Sequence, residues 1–257
     1  MEQQEQILTK KRLIALSRIA DRKGAVTFSN FLNINEIDLF HQILADIETG
    51  YRLSGGYEFA ERQMIAFIPD ALCYNEDAAE QEFPIVCLRF YPAHLKFADS
   101  SISHRDVLGA LMHLGVERSR IGDIRIKDCN YYIYCEEGIS EYLLASLDKV
   151  KHTTVKGERV SSSVCIEQSF QTVEGVVTST RLDAIVAFAV KKSRSQASAL
   201  IHSQKVFVNA CTKDSNACEC KPGDIISVRG FGKFIFAGEH GETKKGRVKI
   251  TIKKYMG

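Results

Sequence analysis

The chain lacks most of the features that mark a specialised class. It contains only four prolines in 257 residues and no low-complexity tract, which argues against long disordered regions. No apolar run approaches the length of a membrane span. The opening stretch MEQQEQILTKKRLIALSRIA holds no apolar core of signal-peptide length, so a cytosolic protein is expected. Eight cysteines are present, but no two are spaced Cys-x-x-Cys, the usual arrangement of structural zinc ligands. Cys211, Cys218 and Cys220 do cluster, with His202 and His240 as conceivable partners. Reduced thiols that pack in cores are the alternative, and the expectation here is no metal. No glycine-rich loop follows a strand in the manner of a cofactor site, and no Cys/His constellation marks a nucleophile. No cofactor and no catalytic residue are therefore expected.

What is present is a separation of charge. Residues 180–257 carry fifteen Lys and Arg against six Asp and Glu, a net +9; with +2 for the whole chain, the first 179 residues sum to −7. A block of that density is the footprint of a phosphate-rich partner. It lies on ordered helix and strand signals, so it is not a loose tail.

The local patterns predict an α+β protein in three parts. Residues 1–78 read as mainly helical. Ile7, Leu8, Leu13, Ile14, Leu16 and Ile19 trace an apolar stripe. A second helix over 35–47 is capped by Asn33 or Asn35 and stopped at Gly50, with a turn at Gly55-Gly56. Residues 79–170 follow a different grammar: a strand over 85–91, a helix from Ser103 to about Leu114, strands over 123–127 and 131–135, a helix over 139–150, and extended chain over 153–166. That order, β-α-β-β-α-β, is the ferredoxin-like arrangement shared by RNA-recognition motifs. Tyr131, Tyr132 and Tyr134 on its third strand either stack bases or pack beneath the helices. Residues 178–257 read as two short helices followed by a small antiparallel sheet.

Within this last part stand Arg181-Leu-Asp183, Ser193-Arg-Ser-Gln-Ala-Ser-Ala-Leu-Ile201, Lys205-Val-Phe-Val-Asn209, Gly223-Asp224 and Val228-Arg-Gly230. This spaced set resembles the RNA-binding domain named after small-subunit ribosomal protein four, the S-four domain, over roughly residues 180–240. One departure is that Gln204-Lys205 stands where the pattern prefers a glycine. Physical chemistry points to the same region. Arg194 sits at the mouth of the second helix, where free N–H groups favour phosphate. Ser193 and Ser195 can cap that helix or donate to phosphate oxygens. Lys191, Lys192, Lys205 and Arg229 are expected on the same surface, with Asn209 and Lys233 completing the candidate RNA-binding set. Arg181 is expected to face RNA. Asp183 either pairs with a nearby cation and positions the helix or belongs to the RNA surface itself. No base-reading pattern is visible, so shape and backbone recognition of folded RNA is expected.

The resemblance extends further. The segment from Gly55 to Pro69, GGYEFAERQMIAFIP, the segment from Ser103 to Arg118, SHRDVLGALMHLGVER, and Ile121-Gly-Asp-Ile124 are similar to the bacterial YlmH family, also called RqcP. That resemblance spans nearly the whole chain and implies an RRM-like domain followed by an S-four domain. It also implies a non-enzymatic, ribosome-associated RNA-binding protein of the cytoplasm. Its implied partners are large-subunit rRNA, tRNA, the ribosome and quality-control proteins, without a membrane. Its implied role is ribosome-associated quality control, supporting alanine tailing of stalled peptidyl-tRNA.

Other motifs carry less. His104-Arg105-Asp106 matches a fragment of a kinase catalytic loop, but no glycine-rich loop or Asp-Phe-Gly accompanies it. Asp106 fits the first turn of a helix, and His104 and Arg105 are held open as a second RNA contact. S-four domains are often fused to pseudouridine synthases or methyltransferases. Here the only Arg-Leu-Asp lies in the small domain and runs into Ala184-Ile-Val. A division-associated RNA-binding protein is the third reading.

Overall fold

A computed structural model of the chain describes residues 2–73, 82–94, 99, 101–161, 170–244 and 246–255. The fold is α+β, and the chain forms two compact units, Met1–Ile166 and Glu167–Gly257.

The first unit opens with helix α1 (Glu2–Lys23). Its buried side is formed by Leu13, Ser17 and Ala20, whereas Ile7 and Leu8, expected in the apolar stripe, are exposed. The buried stripe thus begins at Leu13, past the first turns. Helix α2 (Ile34–Gln42) starts at Asn33, whose side chain accepts from the backbone of Asn35 and Glu36 while Glu36 reaches back, a complete capping box. The mainly helical reading is incomplete. Strands β1 (Thr27–Phe28), β2 (Gly50–Ser54) and β3 (Met64–Ile68) form an antiparallel sheet of order β1-β3-β2. Gly50 thus opens a strand rather than ending a helix. All five residues of β3 are buried, so this central strand shows no alternation to read.

The second layer of this unit has the expected topology. Strands β4 (Ile85–Pro92), β5 (Ile121–Lys127), β6 (Asn130–Glu136) and β8 (Thr153–Val160), with the short β7 (Lys149–Val150), form one sheet of order β5-β6-β4-β8-β7. Helices α3 (His104–His113) and α4 (Ser140–Ser146) complete the ferredoxin-like pattern. The extended reading holds through Val160; residues 162–166 lie outside the described residues. Val86, Leu88, Phe90, Tyr131, Ile133 and Cys135 face the helices in one core.

The expected boundary near residue 78 is replaced by a polar joint. The Asp123 carboxylate accepts from the Tyr57 hydroxyl at 2.6 Å and from the backbone N–H of Glu61 at 2.7 Å and Arg62 at 3.1 Å. The Arg62 guanidinium donates to the carbonyls of Ile121, Phe31 and Arg118. Burial, and then the nearby Arg62, pull Arg118 down to about 10. Gly122 completes the joint: a Cβ there would stand 2.7 Å from the Phe31 ring. The two segments GGYEFAERQ and IGDI are therefore the two halves of one contact.

The second unit is a two-layer module. Helices α5 (Leu182–Ala189) and α6 (Arg194–His202) cover one face of a sheet of order β11-β10-β12-β13-β14-β9. Its strands are β9 (Phe170–Val177), β10 (Val206–Val208), β11 (Cys211–Thr212), β12 (Ile225–Val228), β13 (Gly232–Glu242) and β14 (Val248–Tyr255). The expected start at residue 178 falls short, because β9 pairs with β14 over eight residues. Within that strand Gly175 is needed, since a Cβ would meet the Phe188 ring of α5 at 2.1 Å.

Candidate nucleic-acid interface

The site grows from the start of α5. The hydrogen bonds Leu182 N–H to the Cys218 carbonyl, 2.8 Å, and Cys220 N–H to the Thr180 carbonyl, 3.1 Å, fix the backbone on either side of Arg181. Six of the eight α5 residues are buried, so the helix cannot roll. That places Asp183 in its first turn with only 6% of its surface exposed. A carboxylate this buried requires partners. It has two: Arg181 Nε at 3.3 Å from Oδ1 and Arg194 Nη2 at 2.5 Å from Oδ2. Arg194 Nη1 also donates to Thr178 Oγ1 at 3.2 Å. Burial pushes the Asp183 carboxyl up, but the hydrogen bond and charge of Arg194 and the charge of Arg181 outweigh it and hold the group below the usual carboxylate range. The arginine side chains stay 43% and 48% exposed. The result is two guanidiniums held in fixed positions and open to solvent. Thr178 is the member of this cluster that sequence reading missed; its bond spans sixteen residues and leaves no local signal.

The turn between α5 and α6 adds to the cluster. The N–H groups of Lys191 and Lys192 bond back to the carbonyls of Phe188 and Ala187, and Lys191 takes φ 54°. This is a Schellman ending with lysine where glycine is usual. Lys191 and Lys192 are exposed on the turn that leads into Arg194. Ser193 caps α6: its hydroxyl accepts from Gln196 N–H at 3.2 Å, and Gln196 Oε1 accepts from Ser193 N–H at 3.1 Å. Ser195 Oγ lies 2.9 Å from Ser193 Oγ.

The remaining expected residues lie elsewhere. Gln204 ends α6 at φ 55°, so the turn that favours glycine forms without one. Lys205 follows it and accepts from Arg229 N–H at 2.9 Å. These two cations stand at the far end of α6, roughly 13 Å from Arg194 by helical rise. The Arg229 guanidinium lies over the Phe207 ring at 5.6 Å, and the Lys233 ammonium over Tyr255 at 5.1 Å. Asn209 is committed to the β10–β12 connection, donating to Asp224 Oδ1 and accepting from Ile225 N–H. One continuous surface holding all eleven residues is thus not what the fold builds, because β10 and α6 run between the groups.

In the first unit, the Asp106 carboxylate accepts from the Ser103 backbone and hydroxyl at 2.8 and 2.6 Å, and these bonds hold it at about 2. Burial, then the charge of Arg118, lowers His104 and favours its neutral form; Arg105 is the exposed cation beside it. The three tyrosines of β6 are 1%, 9% and 2% exposed. Tyr131 packs under the helices, whereas Tyr132 and Tyr134 pack with Cys87 on the opposite face. There Tyr57 lies 4.6 Å from Tyr134, ring to ring. Base stacking by these rings is therefore blocked by a segment seventy-seven residues away in sequence. His202 contacts Asn216 and His240 contacts Thr251, and among the described residues no cluster suited to a metal ion forms. No helix of the described residues is long and apolar enough to cross a membrane.

Comparison with known proteins agrees with this architecture. The family described as "Putative RNA-binding domain in YlmH" matches residues 79–163, which is the ferredoxin-like layer. The chain is 26% identical over 244 residues to the ribosome-associated protein quality control protein P2 of Bacillus subtilis strain 168, covering 92% of this chain and 90% of that protein. The solved structure of the cell division protein ylmH from Streptococcus pneumoniae is similar in fold, with a TM-score of 0.52 and 16% identity, over 65% of this chain and 96% of that one.

Proposed function

We propose, for a chain that belongs to the YlmH family of RNA-binding proteins, that it works on the large ribosomal subunit as a non-catalytic RNA clamp. In this reading the second unit is an S-four-type module that grips ribosomal RNA. The protein also contacts tRNA and acts in the cytoplasm in ribosome-associated quality control, supporting alanine tailing of stalled peptidyl-tRNA. The name of the Bacillus relative supports the quality-control setting.

The observation that carries the reading is the pair of arginines clamped by Asp183. Positioned, half-exposed guanidiniums beside a capped helix N-terminus and two turn lysines suit phosphate oxygens in a folded RNA backbone. The same geometry disfavours a modifying enzyme built on Arg-Leu-Asp. Asp183 is buried and doubly ion-paired, whereas a catalytic carboxylate must reach its substrate.

Sedimentation with large subunits tests this. The Arg181→Ala plus Arg194→Ala variant is expected to leave the ribosomal fraction at salt where the wild type remains bound. Each lost phosphate contact lowers the dependence of log K on log salt by about 0.7–0.9. Unchanged association of a folded double variant refutes the assignment.

A further inference from the structure

The sheet of the second unit has two faces, and among its described residues helices pack on one of them. On β14, Ile250 and Ile252 point into the core beneath α5 and α6, so by the alternation of a strand Lys249, Thr251, Lys253 and Tyr255 point to the other side. The register extends this face across the neighbours. Lys253 pairs with Ile235 of β13 and with Thr172 of β9, and Tyr255 pairs with Phe170 of β9. The Phe170 and Tyr255 rings meet edge to face at 5.0 Å, and the Lys233 ammonium lies 5.1 Å from the Tyr255 ring centre. Lys249 and Lys253 are exposed and stand about 13 Å apart along the strand. Against these three lysines, the outward positions of β9, β13 and β14 offer a single acid, Glu174. None of this belongs to the Asp183 cluster, which lies at the helices.

We infer that this outer sheet face is a second RNA-binding surface, specific for unpaired nucleotides. A duplex shows a flat surface only phosphates and hydroxyls, which the lysines would meet but the rings and Ile235 would not. A single strand offers both a phosphate chain for Lys233, Lys249 and Lys253 and open base faces for Tyr255 and Phe170. That combination of basic track and aromatic platform is how single strands are held without sequence preference. The surface lets the module hold a folded RNA through its helices and an adjoining unpaired segment through its sheet.

The test uses the full chain and two probes, a fluorescein-labelled twelve-nucleotide oligouridylate and a labelled RNA hairpin, read by anisotropy across a salt series. Lys249→Gln plus Lys253→Gln is expected to weaken oligouridylate binding about tenfold and to reduce its salt slope by about 1.4, two contacts at roughly 0.7 each for single strands. Hairpin binding stays within twofold. Tyr255→Leu, which keeps an apolar side chain in place, is expected to weaken the oligouridylate about five- to tenfold with no change of slope. Arg181→Ala plus Arg194→Ala should do the reverse, losing the hairpin and keeping the oligouridylate. The inference is overturned if the wild type does not bind oligouridylate, or if the folded lysine variant binds it unchanged. It is equally overturned if oligouridylate binding is lost with the arginines alone. Failure of the arginine variant to lose the hairpin counts against the helix-side site and leaves the sheet-face result readable.

Discussion

Replacing Asp183 with asparagine separates positioning from charge in the proposed site. The side chain keeps its shape, but its hold on Arg181 at 3.3 Å and Arg194 at 2.5 Å is weakened. Both guanidiniums are nearly half exposed, so water takes over their solvation. The stability cost is therefore about 1–2 kcal/mol, below the 3–5 kcal/mol of breaking a fully buried pair. Burial raises the carboxyl, but Arg194 and Arg181 lower it further, so its value in the fold is depressed. The stability gap between wild type and Asp183→Asn is then full above about pH 4 and closes as the pH falls through the depressed value. Binding responds differently. The asparagine carbonyl oxygen can retain one arginine, and the other regains its rotamers. Re-ordering one long side chain costs about 0.5–1.5 kcal/mol, an affinity loss of about two- to twelvefold. Removing a negative charge near phosphates acts in the opposite direction, but at physiological salt, where the screening length is about 8 Å, the ordering cost is expected to win. The slope of log K against log salt should not change, because the number of cations contacting phosphate is the same. Anisotropy with a labelled rRNA hairpin, beside urea unfolding at several pH values, reads both effects. Equal or tighter binding by Asp183→Asn at physiological salt refutes the positioning role.

Three further substitutions have defined outcomes. Lys191→Gly relieves a left-handed lysine and should stabilise the second unit by about 0.5–1 kcal/mol while lowering the salt slope of hairpin binding by up to 0.9; a loss of stability in urea unfolding contradicts the strain argument. Gly122→Ala drives a methyl against the Phe31 ring, 2.7 Å away, and should destabilise the first unit by about 1–3 kcal/mol; an unchanged unfolding midpoint shows that Phe31 can move aside. Arg62→Ala removes a donor from the carbonyls of Ile121, Phe31 and Arg118; Ile121 keeps Arg118 Nη1 and Arg118 keeps the Ile121 N–H, so the change should cost about 1–3 kcal/mol without altering hairpin binding; weakened binding in a folded variant would assign Arg62 to the RNA surface.

What could be read from the sequence follows physical lines. The ferredoxin-like layer was legible because its helices are periodic, the first of them carries a capping box at Ser103 and Asp106, and its strands are bounded by turns. The sheet of the N-terminal segment was not: Met64–Ile68 is buried on both faces, and a short continuous apolar run does not distinguish strand from helix. Strand Phe170–Val177 was hidden for the opposite reason, since this edge strand exposes half of its residues and buries only Val177. Arg181, Asp183 and Arg194 were singled out by their spacing, and of the two readings of Asp183 the pairing one matches its ion pairs, but that a single carboxylate holds both arginines was not legible. The scatter of the other cations was not visible: Lys205 follows α6 directly and Arg229 and Lys233 lie further along the chain, yet all three fall beyond the far end of α6 or on the other sheet face. The tyrosines of β6 show the limit most clearly. Alternation indicates that Tyr132 and Tyr134 share a face, but only the tertiary fold shows Tyr57 lying on it.

The central claim is that the second unit grips large-subunit RNA through the guanidiniums that Asp183 holds. The most direct measurement is a structure of the protein bound to native large subunits isolated with obstructed peptidyl-tRNA. The account predicts Arg181 and Arg194 in ion-pair contact with rRNA phosphates while both still bond to Asp183. An ordered complex in which those two arginines face solvent or protein, with rRNA held by other residues, contradicts it.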